Sequence, residues 1–468
     1  MCSRRRKAVT VRPLASRLLP TATAVALLAV LGPAATVHAA STGTPTIKLS
    51  AAYLSGAVGA TGDPVVTVTV AQSGADASGL TVTASKSSRS TVAGTGDVRV
   101  TGSGGSRTIA VTARAQGYAD LTLKVTGADG KSATTTLHYA ASPAVQRSAD
   151  ARYLTGASDA SAAVDAGGGY VLVANDEDNT LRLYDGSASG APVKSWNLSS
   201  ALGAAKEVDI EGAARVGNTV YWTGSLGNNK DGEYKADRNT VFTTTLSGSG
   251  AATSVAFGSA GHKLRDDLVA WDKANGNRYG FAAATADGQT PKQVDGFNVE
   301  GLEFAPGSTT TAYVGFRAPL VPPSSGGKAL IVPVTNIDQV VRGTKATFGT
   351  PVELDLGGLS VRDLRRNDQG QYLILAGSWA AEDNSAPYAL YRWDGVAGHQ
   401  PVKALDLPTA DAGGWESVVS VPDLDVSGGR VQLITDDGSA DLYGDGTEAK
   451  DLSHPEWQKS RSTVFTLG

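Results

Sequence analysis

At 468 residues, with 41 basic against 45 acidic side chains and a formal net charge of −4, the chain holds material for more than one core. It carries no cationic excess that would draw it to nucleic acid or an anionic membrane. Its 56 glycines, 18% charged residues and single cysteine, Cys2, exclude a disulfide framework and favour a turn-rich all-β protein over a helical one.

Residues 1–40 have the layout of a secretory signal peptide. Arg4, Arg5, Arg6, Lys7, Arg12 and Arg17 make a basic start, Ala22 to Leu31 is apolar, and Val37-His38-Ala39-Ala40 ends in small residues. The apolar run is shorter than the roughly 20 residues of a membrane span. Ser3-Arg4-Arg5 hints at twin-arginine export, but arginine pairs are common in such regions, so the Sec route is favoured. Removing the segment takes away all six of those basic residues and Cys2, leaving a formal charge of about −10. The expectation is a secreted, extracellular monomer with no membrane span and no nucleic-acid partner, acting on a small-molecule or polymeric extracellular ligand.

Residues 41–145 contain seven short strand candidates, Thr46–Leu49, Pro64–Val70, Gly79–Ala84, Asp97–Thr101, Arg107–Ala113, Leu121–Val125 and Thr134–Tyr139, separated by turn residues. This pattern predicts an immunoglobulin-like β-sandwich, without a catalytic set of its own. Its last part, Gly117 to Val125 followed by Asp129-Gly130-Lys131, resembles the final hairpin of bacterial immunoglobulin- or cadherin-like modules. Ala140 to Gln146 is expected to be a linker.

From residue 147 to 468 one phrase recurs: an acidic strand start, a turn, then an aromatic and β-branched strand. Its clearest copies are Val208-Asp209-Ile210-Glu211-Gly212 before Thr219–Thr223, and Asn298-Val299-Glu300-Gly301-Leu302 before Ala312–Phe316. Looser copies begin at Asp159, Val361-Arg362-Asp363-Leu364 and Trp415-Glu416-Ser417-Val418. Such a repeat predicts a β-propeller, with Arg152-Tyr153-Leu154 supplying the missing outer strand of the last blade and closing the ring. Residues 258–295 break the period. Leu264, Leu268 and Trp271 fall on one helical face there, so five blades plus a helical insertion are favoured over six blades.

In a four-stranded antiparallel blade the start of the first strand and the end of the second share an edge. That gathers Asp159, Glu211, Glu300, Arg362 and Glu416 around one mouth, with Asp176, Asp178, Arg317, Asp436 and Asp437 on the same face. Converging carboxylates call for a cation, and an oxygen-rich set suits calcium. Asp159, Glu211, Glu300, Asp176, Asp178, Asp436 and Asp437 are the candidate metal ligands. Glu211, Glu300 and Glu416 are the candidate catalytic carboxylates, and Arg362 and Arg317 the candidate anchors for an anionic group. A blade-start glutamate can equally bond the next blade and hold the ring together. The histidines lie apart without ligand spacing, and no serine-hydrolase or phosphate-loop pattern is present.

The propeller region resembles an uncharacterised, often exported bacterial propeller family, itself distantly similar to phytase-like esterase propellers. The residues that carry this are Asp159 to Val164, Ala174 to Asn179, the two Glu-Gly phrases, Gly315 to Leu320, Val361 to Leu364 and Asp436-Asp437-Gly438. The resemblance implies calcium-assisted hydrolysis of a phosphoester or ester. A non-catalytic binder of glycan, cell-wall polymer or protein, and a glycoside hydrolase, are the alternative expectations.

Overall fold

The computed structural model describes residues 42–323, 325, 327–380, 387–410 and 413–468; the signal peptide assigned to 1–40 lies outside the described residues. The described chain is mostly β, built from seven four-stranded sheets.

Two of these sheets form the N-terminal part. One is ordered Thr46–Leu49, Val66–Ala71, Ser106–Val111, Val98–Thr101, and the other Tyr53–Ala57, Ser132–Ser142, Gly117–Thr126, Thr81–Ser87. Alternation sends Val66, Val68 and Val70 of one sheet and Leu121, Leu123 and Val125 of the other into one shared core. The strand Tyr53–Ala57 is an eighth, beyond the seven predicted, and it pairs parallel to Ser132–Ser142. That last strand runs on to Ser142, so Ala140, Ala141 and Ser142 of the expected linker are sheet.

The remaining five sheets are antiparallel and consistent with propeller blades. Their first strands are Ala160–Gly167, Ile210–Val216, Asn298–Phe304, Ser360–Arg366 and Gly414–Val418. Each packs against the next, and the fifth packs against the first. In the fifth sheet, Ala151–Thr155 pairs with Lys459–Thr466, so the N-terminal strand completes the final sheet as the sequence predicts. The segment after the second sheet folds as helices Leu264–Ala274 and Phe281–Ala284. Leu264, Leu268 and Phe281 are buried there, and Trp271 is partly so.

The axial space between the first strands is crossed by one side chain. Arg365 donates Nη2 to Ala163 O at 2.8 Å, Nε to Val418 O at 3.0 Å and Nη1 to Ala213 O, reaching three other first strands from its own. Asp363, 3.2 Å from Arg365, also accepts the Val418 N–H at 2.8 Å. A buried guanidinium is tolerated because its donors and its charge are answered.

The sandwich and the fifth sheet share polar contacts. Buried Lys459 donates Nζ to Gly56 O at 2.6 Å and lies over the Tyr153 ring. Burial lowers the Lys459 amine to about 8 despite the charges of Asp63 and Asp437. Burial raises the Asp63 carboxyl to about 6, against the pull of Lys459 and the Ala57 N–H. At the far end of the third sheet's first strand, burial lifts Glu303 to about 7, opposed by Arg365.

These three groups give an unusual pH profile. Native Asp63 and Glu303 keep protons that the unfolded chain releases near pH 4, so stability falls as pH rises towards about 7. Above about 8, native Lys459 sheds its proton before the unfolded chain does, and stability recovers. Urea unfolding in EDTA should therefore show a minimum between about pH 7 and 8, lying at least about 2 kcal/mol below the value near pH 5. A stability maximum in that window would contradict the assignment.

Candidate functional site

Every first strand of the five sheets carries one unpaired residue near its start. Pairing skips from Ala160 to Ala162, Ile210 to Gly212, Val299 to Gly301, Val361 to Asp363 and Trp415 to Ser417. The residues left over are Ser161, Glu211, Glu300, Arg362 and Glu416. A bulge re-aims the extra side chain away from the sheet's alternation, which is how one position per sheet is turned to a common centre. The following glycine has its own reason. A Cβ on Gly212 would lie 3.0 Å from Glu300 O and 2.9 Å from Thr223 Cγ2, and one on Gly301 would lie 2.8 Å from Val361 Cγ1. Neighbouring strands come too close there for any larger residue.

This register corrects one expectation. Ser161, not Asp159, occupies the bulge of the first sheet, and its hydroxyl donates to Ile210 O of the next first strand. Asp159 precedes its bulge by two residues and so corresponds to Asp209.

One side of the centre is a buried chain of alternating charges. Arg317 Nη1 lies 2.9 Å from Glu300 Oε1, and Glu300 Oε2 lies 2.9 Å from Arg362 Nε. Arg362 Nε also donates to Glu416 Oε2 at 3.0 Å, and its Nη2 pairs with Glu416 Oε1. Arg317 further donates to Trp379 O and Ala380 O, and Arg362 to Ser378 O. Glu300 and Arg362 are 1% and 2% exposed. Both arginines, expected to anchor an anionic ligand, are instead engaged by Glu300, Glu416 and backbone carbonyls. Among the described residues, Glu300 and Glu416 are not part of the carboxylate group that could share a cation.

The other side is acidic. Asp176, Asp209 and Glu211 each bring a carboxylate oxygen within 4.8 Å of the other two, making a possible metal-binding triad. Asp176 extends from the end of a second strand. Asp209 precedes its bulge with a left-handed backbone, φ +58°, which Asp tolerates better than most residues. Asp209 Oδ2 is steadied by Arg238 Nη1 at 2.8 Å.

Enclosure by protein drives the Asp176 carboxyl well above the usual range, and the charges of Asp436, Glu211, Asp159 and Asp209 push it further. Glu211 is likewise pushed well up, by burial and then by Asp209 and Glu300, with Arg362 and Lys292 opposing. Asp209 is raised by burial against Arg238. Asp176 and Glu211 keep some solvent access, and repulsion among the neighbouring carboxylates adds to the larger effect of burial. Asp176 Oδ1 is buried and accepts no hydrogen bond.

Asp159 and Asp436 stand beside this triad, joined to each other by a single β-bridge. Asp178 turns away to Arg182, Nη2 to Oδ2 at 2.6 Å. Asp437 is buried beside Arg461 and Lys459, with its carboxyl pushed up to about 7 by burial. Of the expected ligands the triad thus contains Asp176 and Glu211. Asp209, Arg238 and Lys292 are additions. Asp209 stands inside the repeated phrase, two residues before Glu211, and could have been found there; Arg238 and Lys292 arrive from loops with no such signal.

Among known proteins, a family model described as "Protein of unknown function (DUF3616)" matches residues 279–412. No curated protein matches the chain. A luciferin-regenerating enzyme structure is 8% identical, covering 75% of this chain and 88% of its own at a TM-score of 0.25. A Bacteroides vulgatus member of the DUF4221 family is 7% identical, covering 84% and 99% at 0.24. Tandem immunoglobulin domains of titin are 10% identical, covering 30% and 68% at 0.16. These likenesses are remote in sequence and superposition, and none bears on activity.

Proposed function

We propose that the five blade-like sheets form a five-bladed propeller behind an immunoglobulin-like module, and that the protein is exported and binds calcium in the propeller funnel. The bound metal would then assist hydrolysis of a phosphoester or carboxylic ester. The observation that carries this reading is the Asp176–Asp209–Glu211 triad, whose raised proton affinities mark negative charge awaiting a counter-charge. The donors are all oxygen, as a hard cation prefers, and buried Asp176 Oδ1 is without a partner.

When bound, such a metal lowers the proton affinity of a coordinated water and polarises the ester oxygen. Asp159 and Asp436, already close enough to repel a charge on Asp176, are placed to accept a proton. With Arg317 and Arg362 engaged internally, the metal is the positive group that would meet an anionic substrate.

The same engagement of the arginines favours a second reading, a calcium-dependent binder without turnover. For the glycoside-hydrolase alternative, the triad oxygens, within 4.8 Å of one another, fall short of the roughly 6.5–9.5 Å of an inverting carboxyl pair and lie near the roughly 5–5.5 Å of a retaining one.

Calcium should raise the thermal midpoint of EDTA-stripped protein, since only a ligand that prefers the folded state does so. A screen of phosphomonoesters and carboxylic esters with calcium then separates the two readings. Turnover lost in Glu211→Gln supports the hydrolase, whereas a calcium shift without turnover supports the binder. No shift at any pH from about 6 to 9 would remove both.

A further inference from the structure

A second cavity, of about 360 Å³, opens where the N-terminal sandwich meets the loop before the last strand. Tyr118, Asp120 and Tyr139 line it from the sandwich, and Asp445, Asp451 and Trp457 from the loop. Its volume suits a small ligand, and it belongs to neither the funnel nor the axial space.

The walls are preorganised. Tyr118 donates its hydroxyl to Asp445 Oδ2 at 2.9 Å, and Asp445 Oδ1 accepts the Thr447 N–H at 3.0 Å. Asp120 Oδ1 lies 2.7 Å from His138 Nδ1. The Trp457 ring packs 5.1 Å from both Tyr118 and Tyr53, and edge-on to His454. Asp451 is exposed at the rim, and among the described residues no Lys or Arg lines the cavity.

One polar atom on this wall is unanswered: Trp457 Nε1 is buried without a hydrogen-bond partner. A buried indole N–H normally finds an acceptor.

We infer that this cavity is a saccharide-binding site. A sugar ring answers all three features together. Its hydroxyl hydrogens suit the carboxylates of Asp120, Asp445 and Asp451, a hydroxyl oxygen can accept from Trp457 Nε1, and its C–H face suits an aromatic wall. An organic cation would satisfy the carboxylates and aromatic faces but would leave the indole N–H without an acceptor. The site needs both the sandwich and the loop, which gives the N-terminal module a share in recognition.

Isothermal titration of the purified protein with cello-oligosaccharides, chito-oligosaccharides and choline tests this. At least one of the saccharides should bind, and Asp451→Asn and Trp457→Phe should each weaken it by at least about tenfold. Trp457 also packs in the aromatic cluster, so Asp451→Asn, at an exposed side chain, is the variant that preserves the fold. Binding of choline alone, binding of none of these ligands, or saccharide affinity unchanged in both variants would overturn the inference.

Discussion

Replacing Arg362 by methionine should destabilise the protein by about 3–5 kcal/mol, the largest loss expected from any single change at the centre. The substitution leaves Glu300 and Glu416 buried with one shared guanidinium gone, and Glu416 then loses its partner on both oxygens. An uncompensated carboxylate in that position must either stay charged in a poor solvent or take up a proton, and both are unfavourable. Arg317→Met should do less, because Glu300 keeps Arg362. The double variant Arg362→Met/Glu416→Gln should recover part of the loss, since removing both charges removes the mismatch. Denaturant unfolding measures all three. A loss below about 1 kcal/mol for Arg362→Met would show that the chain of charges is not what holds these sheets together.

The second large effect concerns calcium. Asp209→Asn or Glu211→Gln should weaken calcium binding by about 100-fold or more, as removing one of few charged ligands does. Asp178→Asn should leave it unchanged, because that carboxylate serves Arg182 on the surface. The affinity should also rise with pH. Glu211 and Asp176 hold their protons unusually tightly, and each proton displaced by the metal makes binding up to about tenfold stronger per pH unit while the group is still titrating. Calorimetry across about pH 6–8 reads both effects. Affinity that is flat with pH, or equally lost in Asp178→Asn, would place the ion elsewhere.

Much of the fold was legible in the chain itself. The run Thr46–Leu49 coincides with its strand to the residue, and Asp97–Thr101 and Thr219–Thr223 each differ from theirs by one residue at one end, because turn residues bound them on both sides. Arg152-Tyr153-Leu154 was recognisable as the closing strand because the last sheet lacked an outer edge. Tyr53–Ala57 escaped because Ser55-Gly56 looks like a turn, and only its partner Ser132–Ser142 makes it a strand.

The site was legible by residue type and not by role. A bulge is a property of two strands in register, so nothing in one strand announces that Ser161 rather than Asp159 lines up with Glu211. Whether an arginine meets a ligand or a neighbouring glutamate depends on distances across sheets. Arg362 and Glu416 are 54 residues apart in sequence, and their contact arises where the fourth sheet's first strand packs against the fifth's.

Arg365 has a consequence for traffic. It bonds to three other first strands and so lies across the space between them, and on the proposed propeller reading the acidic site would open on one side only. On that reading, whatever enters would leave by the same opening, so a departing ligand would obstruct the next arrival. A long polymer cannot be threaded through and processed along its length; it can offer only a free end, a branch or a pendant group. On the proposed hydrolase or binder reading, such a site would take termini and side groups rather than the interior of a polymer.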